Sequence, residues 1–164
     1  MKKIVIVAVF LLSAFLTSCS VEETSNTEKA FSAETIQVEY TILDYEIAEL
    51  INAHRISIGI NALNIIDHAS FEAITHNQYM VDQGELSHDN FSLRSQNLQE
   101  AVHAIKVSEN VGYGYSSAAS LVNAWLQSEG HRETIENTTF TDFGISSKKD
   151  EAGKDYVTNI FIKL

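Results

Sequence analysis

Residues 156–163 read YVTNIFIK. β-Branched and aromatic residues dominate this run and alternate with period two, so it reads as a strand with one face packed inward. Residues 143–148 (FGISSK) form a second, weaker strand pattern, and the intervening KKDEAGKD is a polar turn. Everything clearly helical lies upstream of this pair. Helices first and the clearest strands last argue for an α+β layered domain, against a doubly wound parallel sheet.

Working backwards, apolar positions set the helices. Ile47, Leu50, Ile51 and His54 recur at spacings of three and four, which predicts a helix from Asp44 closed by Gly59. A second helix is expected from Asp67 as N-cap, with Ala69, Ala73, Asn77, Met80 and Val81 along one side, ending at Gly84. A third covers residues 93–102. Residues 107–115 (VSENVGYGY) look extended, their glycines marking a bulge or a close backbone approach. A serine at 116 or 117 caps a strong helix carrying Ala119, Val122, Trp125 and Leu126, expected to end near Gly130. Proline is absent from the whole chain, so glycines and polar clusters supply the punctuation.

The N-terminus has a different logic. Lys2 and Lys3 precede an apolar run from Ile4 to Leu16, and Leu16-Thr17-Ser18 leads to the single cysteine, Cys19. Such a layout is a secretory signal over residues 1–18, too short for a span of roughly 20 residues. The LTSC segment also resembles a bacterial lipobox, which makes Cys19 the expected lipidation site and the mature first residue. Residues 19–38 are polar and read as a flexible tether, leaving residues 39–164 as the domain. Removal of the signal takes away two lysines and no acid, moving the formal charge from −11 to −13. So acidic a body repels nucleic acid, which is excluded as a partner. The membrane is expected to enter through the lipid on Cys19, placing the protein at the bacterial cell envelope. An acylated Cys19 leaves no thiol, so packing alone must hold the exported domain together.

Several chemistries are absent from the sequence. It has no HExxH helix, no G-x-S-x-G elbow, no Cys-x-x-Cys and no EF-hand loop. Gly112-Tyr113-Gly114 lacks the third glycine of a dinucleotide fingerprint and reads as structural. What remains is His88, Glu109 and His131, each at the end of an element, where distant parts of a chain converge. Residues 84–91 (GELSHDNF) place His88 in a turn that, taken alone, reads as solvent-exposed. Two imidazoles and a carboxylate suit a divalent metal, zinc or another, and equally suit proton transfer near neutral pH. On residue type and spacing alone, three unrelated surface residues are the better fit.

Six blocks carry a resemblance. INAHRISIGINAL, THNQYMVDQGELSHDNFSLR, SENVGYGY, VNAWLQSEGHRETIE, TDFGIS and YVTNIFIK follow one another as in the CAP superfamily of cysteine-rich secretory, antigen 5 and pathogenesis-related proteins. The chain is similar to its bacterial members over about residues 42–164. This resemblance implies a three-layer α-β-α sandwich with a cleft lined by two histidines and two acids. His88 matches the histidine of the S-H block, Glu109 the acid of the E-N block, and His131 the histidine of the G-H block. Glu129 lies near the place of the second acid, one position late. Two residues apart on one helix, Glu129 and His131 diverge, so a turn at Gly130 must redirect one of them. His54 and His76 are read as hydrogen-bonded packing residues, and Arg55 and Arg94 as structural donors to carboxylates or carbonyls. Trp125 is read as core, with Tyr113 and Tyr115 as possible rims of the cleft.

The resemblance further implies ligand or partner binding, with themes of lipids, sterols and divalent metals and no agreed catalysis. Three readings stay open at this point: a non-enzymatic binding module for a small ligand or protein partner, a metal-assisted hydrolase with Glu109 as base, and a purely structural envelope protein.

Overall fold

The computed structural model describes residues 36–164. The signal at 1–18, the lipidation site Cys19 and nearly all of the tether at 19–38 lie outside the described residues. The domain runs α1 (Ile42–Ser57), β1 (Asn64–Ile65), α2 (Asp67–Gln83), α3 (Phe91–Val102), β2 (Lys106–Tyr113), α4 (Ala118–Gln127), α5 (Glu129–Ile135), β3 (Asp142–Lys149) and β4 (Asp155–Lys163). The sheet order is β1-β3-β4-β2, with β1 parallel to β3 and the other two pairings antiparallel. β4, the strand that opened the sequence reading, is central, and β2 is an edge.

Alternation along β4 builds the layers. Val157 and Phe161 face a core with Ile47 and Ile51 of α1 and Leu121, Val122 and Trp125 of α4. Ile160 and Ile162 face the other way, onto Ala69 and Ala73 of α2 and Leu98 of α3. A sheet buried on both faces between helices is the three-layer α-β-α sandwich, an α+β single domain.

Close packing of α2 on the sheet explains one glycine. A Cβ at Gly144 would fall 2.1 Å from the Ala69 backbone carbon, so no larger residue fits without moving the helix. Buried polar bonds fix the same contact. Ser70 Oγ accepts from the Ile145 amide, and Asn77 donates to the Ser146 carbonyl while accepting from Thr158.

Local chemistry departs from the sequence reading at several points. Thr41 caps α1 in a reciprocal box with Asp44, so the helix begins at Ile42, two residues before the expected start. Asp67 is the first helical residue of α2, not its cap; Ile66 holds that place, and the Asp67 carboxylate instead accepts from the Tyr40 hydroxyl at 2.7 Å. β2 pairs with β4 in unbroken register, so its glycines mark no bulge. Gly112 marks a close approach, because a Cβ there would meet Leu121 Cδ1 at 2.4 Å. The Trp125 helix stops at Gln127, before the expected Gly130. Ser128 adopts an extended conformation (φ −91°, ψ 122°) and starts α5, which contains Gly130.

Candidate functional site

β2 positions the site. Glu109 and Asn110 are neighbours on this edge strand and therefore point to opposite faces of the sheet. Glu109 faces α2 and α3; Asn110 faces α5. Each holds one of the two predicted histidines.

On the Glu109 side, the carboxylate is buried and fully engaged. Arg94 of α3 donates from Nε to Oε2 at 2.9 Å and from Nη2 to Oε1 at 2.8 Å. His88 Nδ1 lies 2.8 Å from Oε1, and an ionised carboxylate can only accept, so Nδ1 carries the proton. The neutral ring then has a bare lone pair on Nε2. Burial pushes the Glu109 carboxyl up, but the bonds from His88 and Arg94 and the guanidinium charge outweigh it and hold it below its ordinary range.

The turn carrying His88 is strapped down from several directions. Gly84 (φ +68°) ends α2 in the left-handed conformation that glycine adopts freely. His76 Nε2 donates to the Ser87 carbonyl at 2.8 Å, Tyr79 donates to Asp89 Oδ2 at 2.9 Å, and Arg94 Nη1 donates to the Asp89 carbonyl at 2.6 Å. The His88 side chain, 54% exposed, thus stands in solvent on a rigid support.

His76 was read in the sequence as packing, and it packs: it is 1% exposed. It also sits 3.8 Å from Glu109 Oε1. Burial holds its pKa below the usual imidazole value against the pull of Glu109, so this contact is that of a neutral ring. Nothing in the sequence marked His76 as the anchor of the His88 turn.

On the Asn110 side, the amide donates to the His131 carbonyl at 3.1 Å. His131 Nδ1 lies 2.9 Å from Ser128 Oγ, three residues back, where an N-cap serine would ordinarily bond a backbone amide. Its ring packs 6.4 Å from that of Trp125. Burial and the nearby His88 both lower its pKa, which keeps it neutral at pH 7. Trp125 itself is buried, and its Nε1 donates to the Val111 carbonyl at 3.0 Å, closing the free edge of β2.

The structure therefore joins His88 to Glu109, with Arg94 and His76 behind them, and holds His131 separately through Asn110 and Ser128. It does not gather Glu129. That residue lies in the first turn of α5, about 200° around the axis from His131, exposed and without a hydrogen bond or ion pair among the described residues. The break that redirects the chain is at Ser128, one residue before Glu129, so it leaves the divergence between Glu129 and His131 in place. The tyrosines turn elsewhere: the Tyr113 hydroxyl donates to Asp150, and Tyr115 lines a separate groove of about 460 Å³ beside Thr41, Leu43 and Glu46. Among the described residues no three His, Cys, Asp or Glu side chains form a ready metal-binding set. A metal at the cleft would rest on two imidazoles and water.

The order of elements and the histidine–carboxylate cluster on an edge strand can be set against known proteins. The profile of the cysteine-rich secretory protein family, CAP, matches residues 48–161. The chain belongs to the CAP family. It is 28% identical over 138 residues to the uncharacterized membrane protein YlbC of Bacillus subtilis (strain 168), covering 82% of this chain and 38% of that one. An extracellular SCP-domain protein of Bacillus anthracis superposes with a TM-score of 0.64 at 28% identity, over 73% of this chain and 40% of the other. An outer surface protein of Borrelia burgdorferi superposes at 0.67 with 20% identity, over 77% of this chain and 98% of its own, a likeness of fold. This CAP chain thus spans well under half the length of the two Bacillus proteins. No helix among the described residues is long and apolar enough to cross a membrane.

Proposed function

We propose that this CAP domain is a non-enzymatic binding module, held at the bacterial envelope by a lipid on Cys19, whose cleft takes one divalent metal ion between His88 and His131. The observation that carries this reading is the orientation of both rings. His88 donates Nδ1–H to the Glu109 carboxylate, which leaves its Nε2 lone pair for a ligand, and the same holds for His131 in the tautomer in which Nδ1 donates to Ser128 Oγ. Metal-binding histidines usually spend their second nitrogen on such a partner, which fixes tautomer and ring orientation. Zinc and its neighbours accept neutral imidazole, and two histidines with water make a weak, open site.

Burial and the bonds from Arg94 and His88 favour binding over the hydrolase reading, since the Glu109 side chain is 2% exposed and already accepts three hydrogen bonds.

Calorimetric zinc titration at neutral pH tests the proposal. Wild type should take up one ion per chain more than the His88→Ala/His131→Ala variant, with micromolar or poorer affinity. Equal uptake by the two would overturn it.

A further inference from the structure

Away from the cleft, α1 carries apolar residues on both of its faces. Ile47, Ala48 and Ile51 are buried in the core. On the opposite side Ile42, Tyr45, Glu49, Ala53 and Ile56 recur at spacings of three and four, with Ile42 80%, Tyr45 51% and Ile56 63% exposed. A helix on the surface of a domain ordinarily turns polar residues outward, and an exposed apolar stripe marks a surface made for contact. Two adjoining hollows of about 460 and 450 Å³ lie beside this stripe, between α1 and the start of α4; both are lined by Glu46 and Ser117, so they form one groove. It follows about 16 Å of α1, roughly three helical turns. Leu43, Leu50 and Ala53 line the α1 side, and Ala118 and Ala119 the α4 side, where small side chains let another backbone come close.

The charges select the partner. Glu46 and Glu49 stand exposed on the groove and make no hydrogen bond or ion pair among the described residues. Lys149, the one cation among the described residues that line it, is matched by Asp155 at 2.6 Å. α1 turns no basic side chain this way: Arg55 is buried, and His54 is bonded to Glu136. Two unmatched glutamates repel an anionic bilayer. A two-fold contact sets a patch against itself, so a second copy would bring its own glutamates to the same place. We infer that the groove along α1 receives a basic amphipathic helix of another protein. Its apolar residues at i, i+3, i+4 and i+7 lie on the stripe, and its lysines or arginines meet Glu46 and Glu49. The surface uses neither His88 nor His131 and stands apart from the cleft reading.

The test titrates the full chain into a fluorescent model peptide of leucine and lysine at helical spacing, about five turns long, read by anisotropy. Binding should saturate at one peptide per chain and weaken as salt rises. A twin with glutamate in place of lysine should not bind, and one of the same composition in scrambled order should bind more weakly. Glu46→Gln/Glu49→Gln should weaken binding about tenfold or more. Glu133→Gln/Glu151→Gln, the same charge change at exposed sites elsewhere, should leave it unchanged. No saturable binding overturns the inference. Equal weakening by the two pairs also overturns it, since the acidic surface at large would then be the attraction. So does self-association that Ile42→Ser/Ile56→Ser abolishes, which puts a second copy on the face, and so does binding gained only when residues 20–38 are deleted, which puts the tether there. His88→Ala/His131→Ala should bind the peptide as wild type does, so failure of the cleft reading shows separately, in zinc uptake.

Discussion

Glu109 and Asn110, consecutive residues of β2, hold His88 and His131 from opposite faces of the sheet: the Glu109 carboxylate takes the His88 Nδ1–H at 2.8 Å, and the Asn110 amide grips the His131 carbonyl at 3.1 Å. One edge strand thereby anchors both histidines. The strand pairs with β4 on one side, and Trp125 Nε1 donates to its Val111 carbonyl.

Glu109→Gln should therefore be costly to the fold. The amide would turn N–H groups toward Arg94, a buried cation that needs an acceptor on both prongs. Breaking a buried pair by removing one partner typically costs about 3–5 kcal/mol. Urea melts decide this, and a loss below about 1 kcal/mol would show that water replaces the carboxylate.

Acid should weaken the fold through the same group of residues. His76 and His131 are held below the ordinary imidazole range, chiefly by burial, and Glu109 is held below the carboxylate range by its partners despite burial. In each case the unfolded chain takes up its proton first as pH falls. The histidine contribution is complete above about pH 6.5 and declines below it; that of Glu109 follows below about 4.3. In salt high enough to screen the acidic surface, the urea midpoint should fall from pH 7 to pH 5. A rising midpoint would contradict the assignment.

Two glycines should respond with opposite sign. Gly144→Ala drives a methyl into the α2 backbone and should cost about 2 kcal/mol or more. Gly130 has open space around it and sits within α5, so Gly130→Ala should gain about 0.5–1 kcal/mol. Thermal melts of the two variants check both signs. Equal effects would mean that α2 packs less tightly on β3 than the structure has it.

Much of this was legible in the residues. Apolar spacing located α1 to α4, and period-two alternation located β4, because those signals come from which face is buried. β1 and α5 escaped: two residues make no period, and α5 follows α4 with only Ser128 between them. The partnership of His88 with Glu109 came from the family resemblance. Residue types alone left it open, since spacing along a chain does not say which loop folds back onto which strand. The supporting roles of Arg94, His76 and Ser128 needed coordinates for the same reason. Arg94 was read as a structural donor to a carboxylate without the sequence saying which one.

The anchor makes a separate prediction. Cys19→Ser should move the protein from the membrane to the soluble fraction, because acyl chains are the sole hold on the bilayer in this account. Unchanged partitioning, with the Ser18–Cys19 bond uncleaved, would contradict it. Chains beginning at residue 20 and at residue 39 should melt within about 5 °C of each other.

The cleft is tested most directly by NMR of the imidazole nitrogens in the full chain as zinc is added at neutral pH. The resonances of Nε2 in both His88 and His131 should shift together and saturate together, while His88 Nδ1 keeps its proton on Glu109. The response should weaken in acid, because metal binding competes with protons for the imidazole nitrogens. Two Nε2 resonances that ignore zinc, or a shift confined to one ring, would contradict a shared metal site.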